Sequence, residues 1–214
     1  MSREKLPVVV LISGRGSNLQ AIIDDAGDPD CPFELCAVIS NRPDAAGLDR
    51  ARQANIATRI VDHKSHTSRE SFDAALAQAV DTCRPGLVVL AGFMRILTPD
   101  FVGHYDGRLI NIHPSLLPAF PGLDTHQRAV ASGVAEHGAS VHFVTAALDG
   151  GPLIVQARVP VLAEDDADTL AARVLVQEHR ILPRAIRWFA EGRLDIEGVG
   201  EDQRVMLDGK PALE

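Results

Sequence analysis

The chain has 214 residues, of which 46% are hydrophobic and 23% are charged, and its formal net charge is −8. These values are ordinary for a globular protein and favour neither a disordered chain nor a membrane protein. The acidic balance argues against binding to nucleic acid, because the phosphate backbone is held by basic surfaces.

The length suits a single domain spanning residues 1–214. The apolar run 6–12 is too short to span a bilayer or to form the core of a signal peptide, so we expect a cytoplasmic protein that does not bind membranes. Cys31, Cys36 and Cys83 form no CxxC pair, which argues against a disulfide framework and a zinc site. We expect reduced thiols and no metal.

Continuous apolar segments alternate with helical patterns through the first half of the chain. The predicted strands cover 7–12, 35–39, 57–61 and 87–91. One predicted helix begins at Ser17, and two others cover 44–54 and 68–83. Strands that are apolar throughout are typical of a parallel sheet covered on both faces. We predict an α/β fold with a doubly wound, mostly parallel sheet and helices on both faces.

The pattern changes after Thr98. The later predicted elements are a strand at 108–112, a helix at 125–132, strands at 139–145 and 152–161, a helix from 165–169 to about residue 190, and a short hairpin around residues 208–209. The two strands at 139–145 and 152–161 can pair across the LDGGP turn between them. The sheet should therefore carry an antiparallel edge.

The loop GRGSNL, residues 14–19, follows a predicted strand and opens a predicted helix. In this position backbone N–H groups and the helix dipole can hold a phosphate, with Gly16, Ser17 and Asn18 as donors. Leu19 stands where a dinucleotide fingerprint has its third glycine, so a single phosphate on a smaller ligand fits better than a dinucleotide. A tight turn that binds nothing is the structural alternative.

A second constellation consists of Asn111, His113 and Asp149. Asn111 and His113 lie two residues apart at the end of a predicted strand, so they face the same side and can act on one reacting atom. Imidazole can pass a proton near neutral pH, a carboxylate can orient the ring, and an amide N–H can stabilise an oxyanion. The trio suits acyl-type transfer, and the chain lacks a GxSxG elbow that would supply a serine nucleophile.

The other histidines carry weaker predictions. His63 and His66 lie in a polar loop and are predicted to be solvated. His126 and His142 could line the same cleft as His113 or serve as structural residues. Glu178, on the long helix, reads from the residues alone as a solvated side chain.

The segments GRGSNL, AGFMRIL, NIHPSLLPAFPG and ASVHFV, followed by LDGGP, closely resemble those of the phosphoribosylglycinamide formyltransferases, in the same order and at the same spacings. These are folate-dependent enzymes of de novo purine synthesis with a Rossmann-like formyltransferase fold. The resemblance covers roughly residues 7–190. Asp124 departs from the pattern, because many members have histidine there, and we assign it no role.

The resemblance implies transfer of the formyl group of 10-formyltetrahydrofolate to the amine of 5-phosphoribosylglycinamide, with no metal. It implies small-molecule substrates. We expect a monomer or homodimer, with a phosphate-binding half at about 1–105 and a folate-binding, catalytic half at about 106–214. His113, Asn111 and Asp149 would be catalytic, while Gly16, Ser17, Asn18 and Glu178 would hold the phosphate and ribose. The implied folate-binding residues are Arg69, Met94, Arg95, Ile96, Leu97, Asn111, Thr145, Ala146, Ala147, Leu148 and Asp149.

The sequence alone leaves three rival functions open. A formyltetrahydrofolate deformylase passes the same formyl group to water, but that family carries an extra N-terminal regulatory domain. A tRNA-formylating enzyme would need a further C-terminal domain and a more basic surface. A non-catalytic sensor would keep the fold and bind the phosphorylated ligand without formyl transfer.

Overall fold

The computed structural model describes residues 4–213. The chain forms two compact units, one ending at Asn111 and the other beginning at Ile112. Within residues 4–213, no helix combines the length and apolar character needed to cross a bilayer.

The first unit is built on parallel strands in the order β3-β2-β1-β4-β5. The strands are β1 (Leu6–Ile12), β2 (Phe33–Ser40), β3 (Thr58–Ile60), β4 (Leu87–Leu90) and β5 (Leu109–His113), whose last two residues belong to the second unit. The helices are α1 (Ser17–Ala26), α2 (Gly47–Gln53), α3 (Arg69–Asp81) and α4 (Pro99–His104), and a 3₁₀ turn covers His63–Ser65.

The core of the first unit follows from its strand sequences. Val8, Val9, Val10, Leu11 and Ile12 are all fully buried although successive side chains of a strand point to opposite faces. Both faces of β1 are therefore covered, as a parallel sheet flanked by helices requires.

Local capping sets where the helices begin. At α3, the Ser68 side chain accepts from the Ser71 N–H and the Ser71 hydroxyl accepts from the Ser68 N–H, which forms a capping box. At α4, Thr98 caps the first turn and Pro99 occupies its first position, where no N–H is needed. Helix α2 begins at Gly47, three residues after the predicted start at Asp44, and Asp44 pairs with Arg42 before the helix.

The second unit contains α5 (Thr125–Ser132), β6 (Glu136–Phe143), β7 (Leu153–Pro160) and α6 (Ala167–Ala190). Strands β6 and β7 are antiparallel, and α6 packs against both. A capping box between Asp166 and Thr169 opens α6. A second, three-stranded antiparallel sheet consists of β8 (Leu194–Glu197), β9 (Arg204–Leu207) and β10 (Lys210–Pro211).

The predicted fold class is confirmed by the parallel strands of the first unit and the antiparallel pair β6–β7. The helix Thr125–Ser132 and the end of α6 at Ala190 also agree with the predicted bounds. One element was missed. The predicted hairpin is β9–β10, and β8 pairs with β9 as a third strand. Strand β8 was not predicted because it has only four residues and lies shortly after a long helix.

Candidate active site

A cavity of about 480 Å³ lies in the first unit, beside the residues that follow β1, β2 and β4. This is the end of a parallel sheet at which doubly wound folds bind ligands. Gly16, Ser17 and Asn18 line it, as expected for a ligand-binding loop. The remaining lining residues are Ser13, Gly14, Arg15, Asn41, Arg42, His63, Ala91, Gly92, Met94 and Arg95.

The loop at Gly16 depends on glycine for two reasons. Gly16 has φ +71°, a left-handed conformation that side chains rarely adopt. A Cβ on Gly16 would also lie 2.6 Å from the Cα of Gly47 at the start of α2. The loop and α2 are therefore in direct backbone contact, and the Gly47 N–H donates to the Gly14 carbonyl at 3.0 Å. This contact holds the first N–H groups of α1 at the cavity wall, where a helix terminus favours an anion.

The charge of the cavity lining is positive although the chain is acidic. Arg15, Arg42 and Arg95 line it, and residues 4–213 contribute no Asp or Glu to the lining. The Arg42 guanidinium donates to Asp44 at 2.8 and 3.1 Å, which neutralises part of its charge. Arg95 lies over the ring of Phe72, 5.9 Å from its centroid. The arrangement suits a bound anion.

A hydrogen-bonded wall of the cavity joins the ends of three strands. The Met94 N–H donates to the Ser13 hydroxyl at 2.7 Å, and that hydroxyl donates to Asn41 Oδ1 at 2.6 Å. His63 Nδ1 lies 2.8 Å from the Asn41 carbonyl oxygen. The prediction that His63 is solvated is therefore wrong: its side chain is 21% exposed and lines the cavity. Its place just after a parallel strand was the signal that could have indicated this.

In the second unit, His113 and Asp149 form a buried pair. His113 Nδ1 lies 3.5 Å from Asp149 Oδ2, and the two side chains are 8% and 9% exposed. His113 Nε2 donates to the Phe120 carbonyl oxygen at 3.0 Å, since a carbonyl can only accept. Both ring nitrogens of His113 thus lie near oxygen atoms, the Phe120 carbonyl on one side and the Asp149 carboxylate on the other.

Asp149 is held in place by a turn between β6 and β7. It adopts a left-handed conformation with φ +50°, and its Oδ2 accepts from the Gly122 N–H at 2.8 Å. Gly151 must be glycine, because a Cβ there would collide with the Phe143 carbonyl oxygen. A non-glycine residue with positive φ at a buried carboxylate is a common feature of functional sites.

Three further histidines surround the pair. His142 Nε2 lies 3.8 Å from Asp149 Oδ1, and burial lowers the pKa of His142. The rings of His126 and His137 meet edge to face at 5.2 Å. The pKa of His137 is lowered to about 4, mainly by burial and secondly by the neighbouring His126. The pKa of His126 is also lowered, mainly by burial and secondly by His113. These rings therefore add no positive charge around His113 at neutral pH.

The other expected site residues are distributed over both units. Asn111 is half-buried on β5, two residues before His113. Glu178 is buried on α6 and 7% exposed, so the interpretation of it as a solvated residue is wrong. Met94, Ile96 and Leu148 are 68%, 58% and 60% exposed, which is unusual for apolar side chains and fits surfaces that meet a ligand.

The remaining residues predicted to bind folate occupy three places. Thr145, Ala146 and Ala147 line a cavity of about 570 Å³ in the second unit, together with residues of β9. Leu97 is half-buried after β4. Arg69 is exposed at the start of α3, and within the described chain it lines neither cavity. Within residues 4–213, no group of three or more His, Cys, Asp or Glu side chains could hold a metal ion.

Comparison with known proteins identifies the family. The family model described as formyl transferase matches residues 6–186. The chain belongs to the formyl transferase family. This confirms the expectation drawn from the sequence segments, and it makes the chain a transferase.

Individual members of the formyl transferase family are similar to almost the whole chain. The phosphoribosylglycinamide formyltransferase of Escherichia coli is 55% identical over 203 residues, which cover 95% of this chain and 94% of that protein. A solved phosphoribosylglycinamide formyltransferase from Coxiella burnetii is 54% identical with a TM-score of 0.90, covering 97% of this chain and 96% of that one. A solved glycinamide ribonucleotide transformylase from Symbiobacterium toebii is 47% identical with a TM-score of 0.91, and the match covers 97% of this chain and 99% of that one. The Rossmann-like formyltransferase fold is thereby confirmed.

Proposed function

We propose that this formyl transferase moves the formyl group of 10-formyltetrahydrofolate to the amine of 5-phosphoribosylglycinamide, giving the formylated ribonucleotide and tetrahydrofolate in purine biosynthesis. The observation that carries the proposal is the buried His113–Asp149 pair in a chain 55% identical to a phosphoribosylglycinamide formyltransferase. The cationic cavity of the first unit supports it, because the acceptor carries a phosphate.

The ribonucleotide phosphate would bind at the start of α1. Gly16, Ser17 and Asn18 line the cavity there, and the first N–H groups of a helix lack partners within the helix. Arg15 and Arg95 add positive charge to the same cavity. Glu178, buried on α6, would accept a hydrogen bond from a ribose hydroxyl.

The reaction needs one proton transfer and one stabilised oxyanion. The amine nitrogen attacks the formyl carbon, the bond from that carbon to the folate nitrogen breaks, and a proton lost by the amine ends on the folate nitrogen. His113 would carry that proton, and Asp149 would orient its ring and stabilise the imidazolium. Asn111 would donate its amide N–H to the formyl oxygen, where negative charge develops.

No serine or cysteine nucleophile is needed for this direct transfer. Ser115 is the hydroxyl nearest to His113 in sequence, and it is buried and donates to the Ala119 carbonyl at 2.6 Å. Its hydrogen is therefore used to hold the proline loop. The nucleophile is the amine of the substrate.

The folate donor would lie against two apolar surfaces. The exposed side chains of Met94 and Ile96, with Arg95 and Leu97, form the first, and the turn 145–149 forms the second. Arg69, exposed at the start of α3, would pair with a carboxylate of the glutamate tail. The first unit would thus hold the phosphate, and the second would supply His113 and Asp149. We further propose a cytoplasmic monomer or homodimer.

The test is a formyl-transfer assay with purified protein and 10-formyltetrahydrofolate, with and without the ribonucleotide. We expect consumption of the donor only when the ribonucleotide is present, with one formylated ribonucleotide formed for each tetrahydrofolate. Equal consumption without the ribonucleotide would identify a hydrolase. Ligand binding without turnover would identify a sensor.

A further inference from the structure

We propose that His63 is a phosphate-binding residue of the ribonucleotide cavity, and that its protonated ring donates a hydrogen bond from Nε2 to the phosphate. The inference rests on the proposed function, because the ribonucleotide is the proposed occupant of this cavity. His63 lies in the 3₁₀ turn after β3, and it lines the cavity together with the glycine loop.

The contacts of Nδ1 determine what Nε2 can do. Nδ1 lies 2.8 Å from the Asn41 carbonyl oxygen and 3.2 Å from Asn41 Nδ2. A carbonyl oxygen only accepts, so the shorter contact places a hydrogen on Nδ1. Nε2, which has no hydrogen-bond partner among residues 4–213, then carries a lone pair in the neutral ring and a hydrogen only in the imidazolium.

The ring is anchored to a rigid part of the first unit. Asn41 is 2% exposed, and its side-chain oxygen accepts from the Ser13 hydroxyl, which in turn accepts from the Met94 N–H. This hydrogen-bond chain joins the ends of β1, β2 and β4. A donor held in this way loses little freedom when a ligand binds, which favours affinity.

Charged residues of both signs lie around His63. On its own turn, Asp62 Oδ1 lies 3.8 Å from Nδ1, and Lys64 is the next residue along the chain. The charged residues of the other cavity walls are Arg15, Arg95 and Arg42, which is paired with Asp44.

A phosphate dianion in the cavity would favour the imidazolium form of His63, because the dianion attracts its positive charge and accepts from Nε2. Phosphate binding and protonation of His63 are then coupled. The contribution of His63 to ribonucleotide affinity is present at low pH and is lost as the pH rises and the ring becomes neutral.

The decisive variant is His63→Asn, compared with wild type in steady-state kinetics at about pH 6 and about pH 8, on either side of the usual titration range of histidine. The asparagine amide can replace Nδ1 as donor to the Asn41 carbonyl but offers nothing at the position of Nε2. We expect KM for the ribonucleotide to rise about tenfold at the lower pH, the effect of one charge-assisted hydrogen bond. The effect should fall on this KM rather than on kcat, and it should shrink at the higher pH.

Two further variants separate phosphate binding from a structural role. His63→Gln places an amide N–H near the position of Nε2 at every pH, so it should recover part of the affinity and lose the pH dependence. His66→Asn, in the same loop, should leave both parameters at their wild-type values, because the His66 ring packs on Phe72 and does not line the cavity.

An unchanged ribonucleotide KM in His63→Asn at the lower pH would overturn the inference, as would a rise of equal size at both pH values, which indicates a structural role. If wild type shows no formyl transfer, the proposed function fails instead. Calorimetric titration with ribose 5-phosphate at the same two pH values would then still test His63. Loss of affinity in His63→Asn at the lower pH alone would support the inference, and equal affinities would refute it.

Discussion

The cavity of the first unit and the His113–Asp149 pair of the second are built differently, and in the proposed function they would act on the substrates by opposite means. The cavity is open to solvent and is formed by a glycine loop, backbone N–H groups and arginines. The pair consists of two buried side chains, each held by one hydrogen bond with the backbone. Binding an anion needs positive potential, which many groups supply together, whereas moving a proton needs one group at one place. A single substitution in the His113–Asp149 pair should therefore reduce formyl transfer far more than a single substitution in the cavity lining.

The largest effect is expected for His113→Ala. Without an acid–base group, kcat should fall by roughly 10² to 10⁴, while affinity for the ribonucleotide stays near the wild-type value. Turnover and direct binding of the ribonucleotide would be measured side by side. His104→Ala, a half-exposed histidine paired with Asp81, is the matched control and should keep wild-type turnover. If His113→Ala lost as much ribonucleotide affinity as kcat, the two regions would not have the separate roles proposed for them.

Asp149→Asn should have the next largest effect. The asparagine oxygen can still accept from the Gly122 N–H, but the charge that faces His113 is lost. We expect kcat to fall by about 10²-fold with little change in either KM. The control is Asp208→Asn, which changes the same residue type in the same left-handed conformation, at φ +54°, on the surface. Wild-type kcat in Asp149→Asn would show that the carboxylate only supports the turn.

A smaller effect, on binding and stability, is expected for Gly16→Ala. Gly107 has a similar φ of +69° but open space around its Cβ position, so Gly107→Ala reports the cost of the conformation alone, about 1 to 2 kcal/mol. Gly16→Ala adds the clash with Gly47 and should destabilise the protein more, while raising the ribonucleotide KM. Urea unfolding and kinetics of both variants would test this. Equal effects of the two variants would show that the contact between Gly16 and Gly47 adds nothing to stability or binding.

The last prediction leaves activity at neutral pH unchanged and concerns only stability at acidic pH, through the buried His137. The pKa of His137 is lowered to about 4 by burial and by His126, below the usual value of 6.5, so the unfolded chain binds a proton more readily than the folded one. Stability from this group is complete above pH 6.5 and is lost as the pH falls towards 4, by roughly 3 kcal/mol.

Unfolding by urea across this pH range would measure the slope. His137→Gln should have a flatter dependence than wild type, whatever its absolute stability, because glutamine does not titrate. His104→Gln, at a half-exposed position, serves as the control. The same slope in wild type and His137→Gln would refute the assignment to His137.

Much of this molecule was predictable because its signals are local. The buried strand Leu6–Ile12, the glycine loop after it and the helix that follows are encoded by adjacent residues with strong preferences. The position of His113 was predictable for the same reason, because adjacent residues form a strand that two following prolines end. The weaker predictions concern side chains whose surroundings come from distant segments. Glu178 lies on the amphipathic helix α6, and its burial depends on distant segments that pack over this part of the helix.

The sequence by itself determined the fold class, the family and the residue types available for phosphate binding and acid–base chemistry, because periodicity, glycines and segment order are properties of the chain. Only the tertiary structure decided that His63 shares a cavity with the glycine loop and that Asp149 contacts His113. Residues 63 and 16, or 149 and 113, lie tens of positions apart along the chain, and local preferences say nothing about the distance between such side chains. That distance is set by strand order and packing.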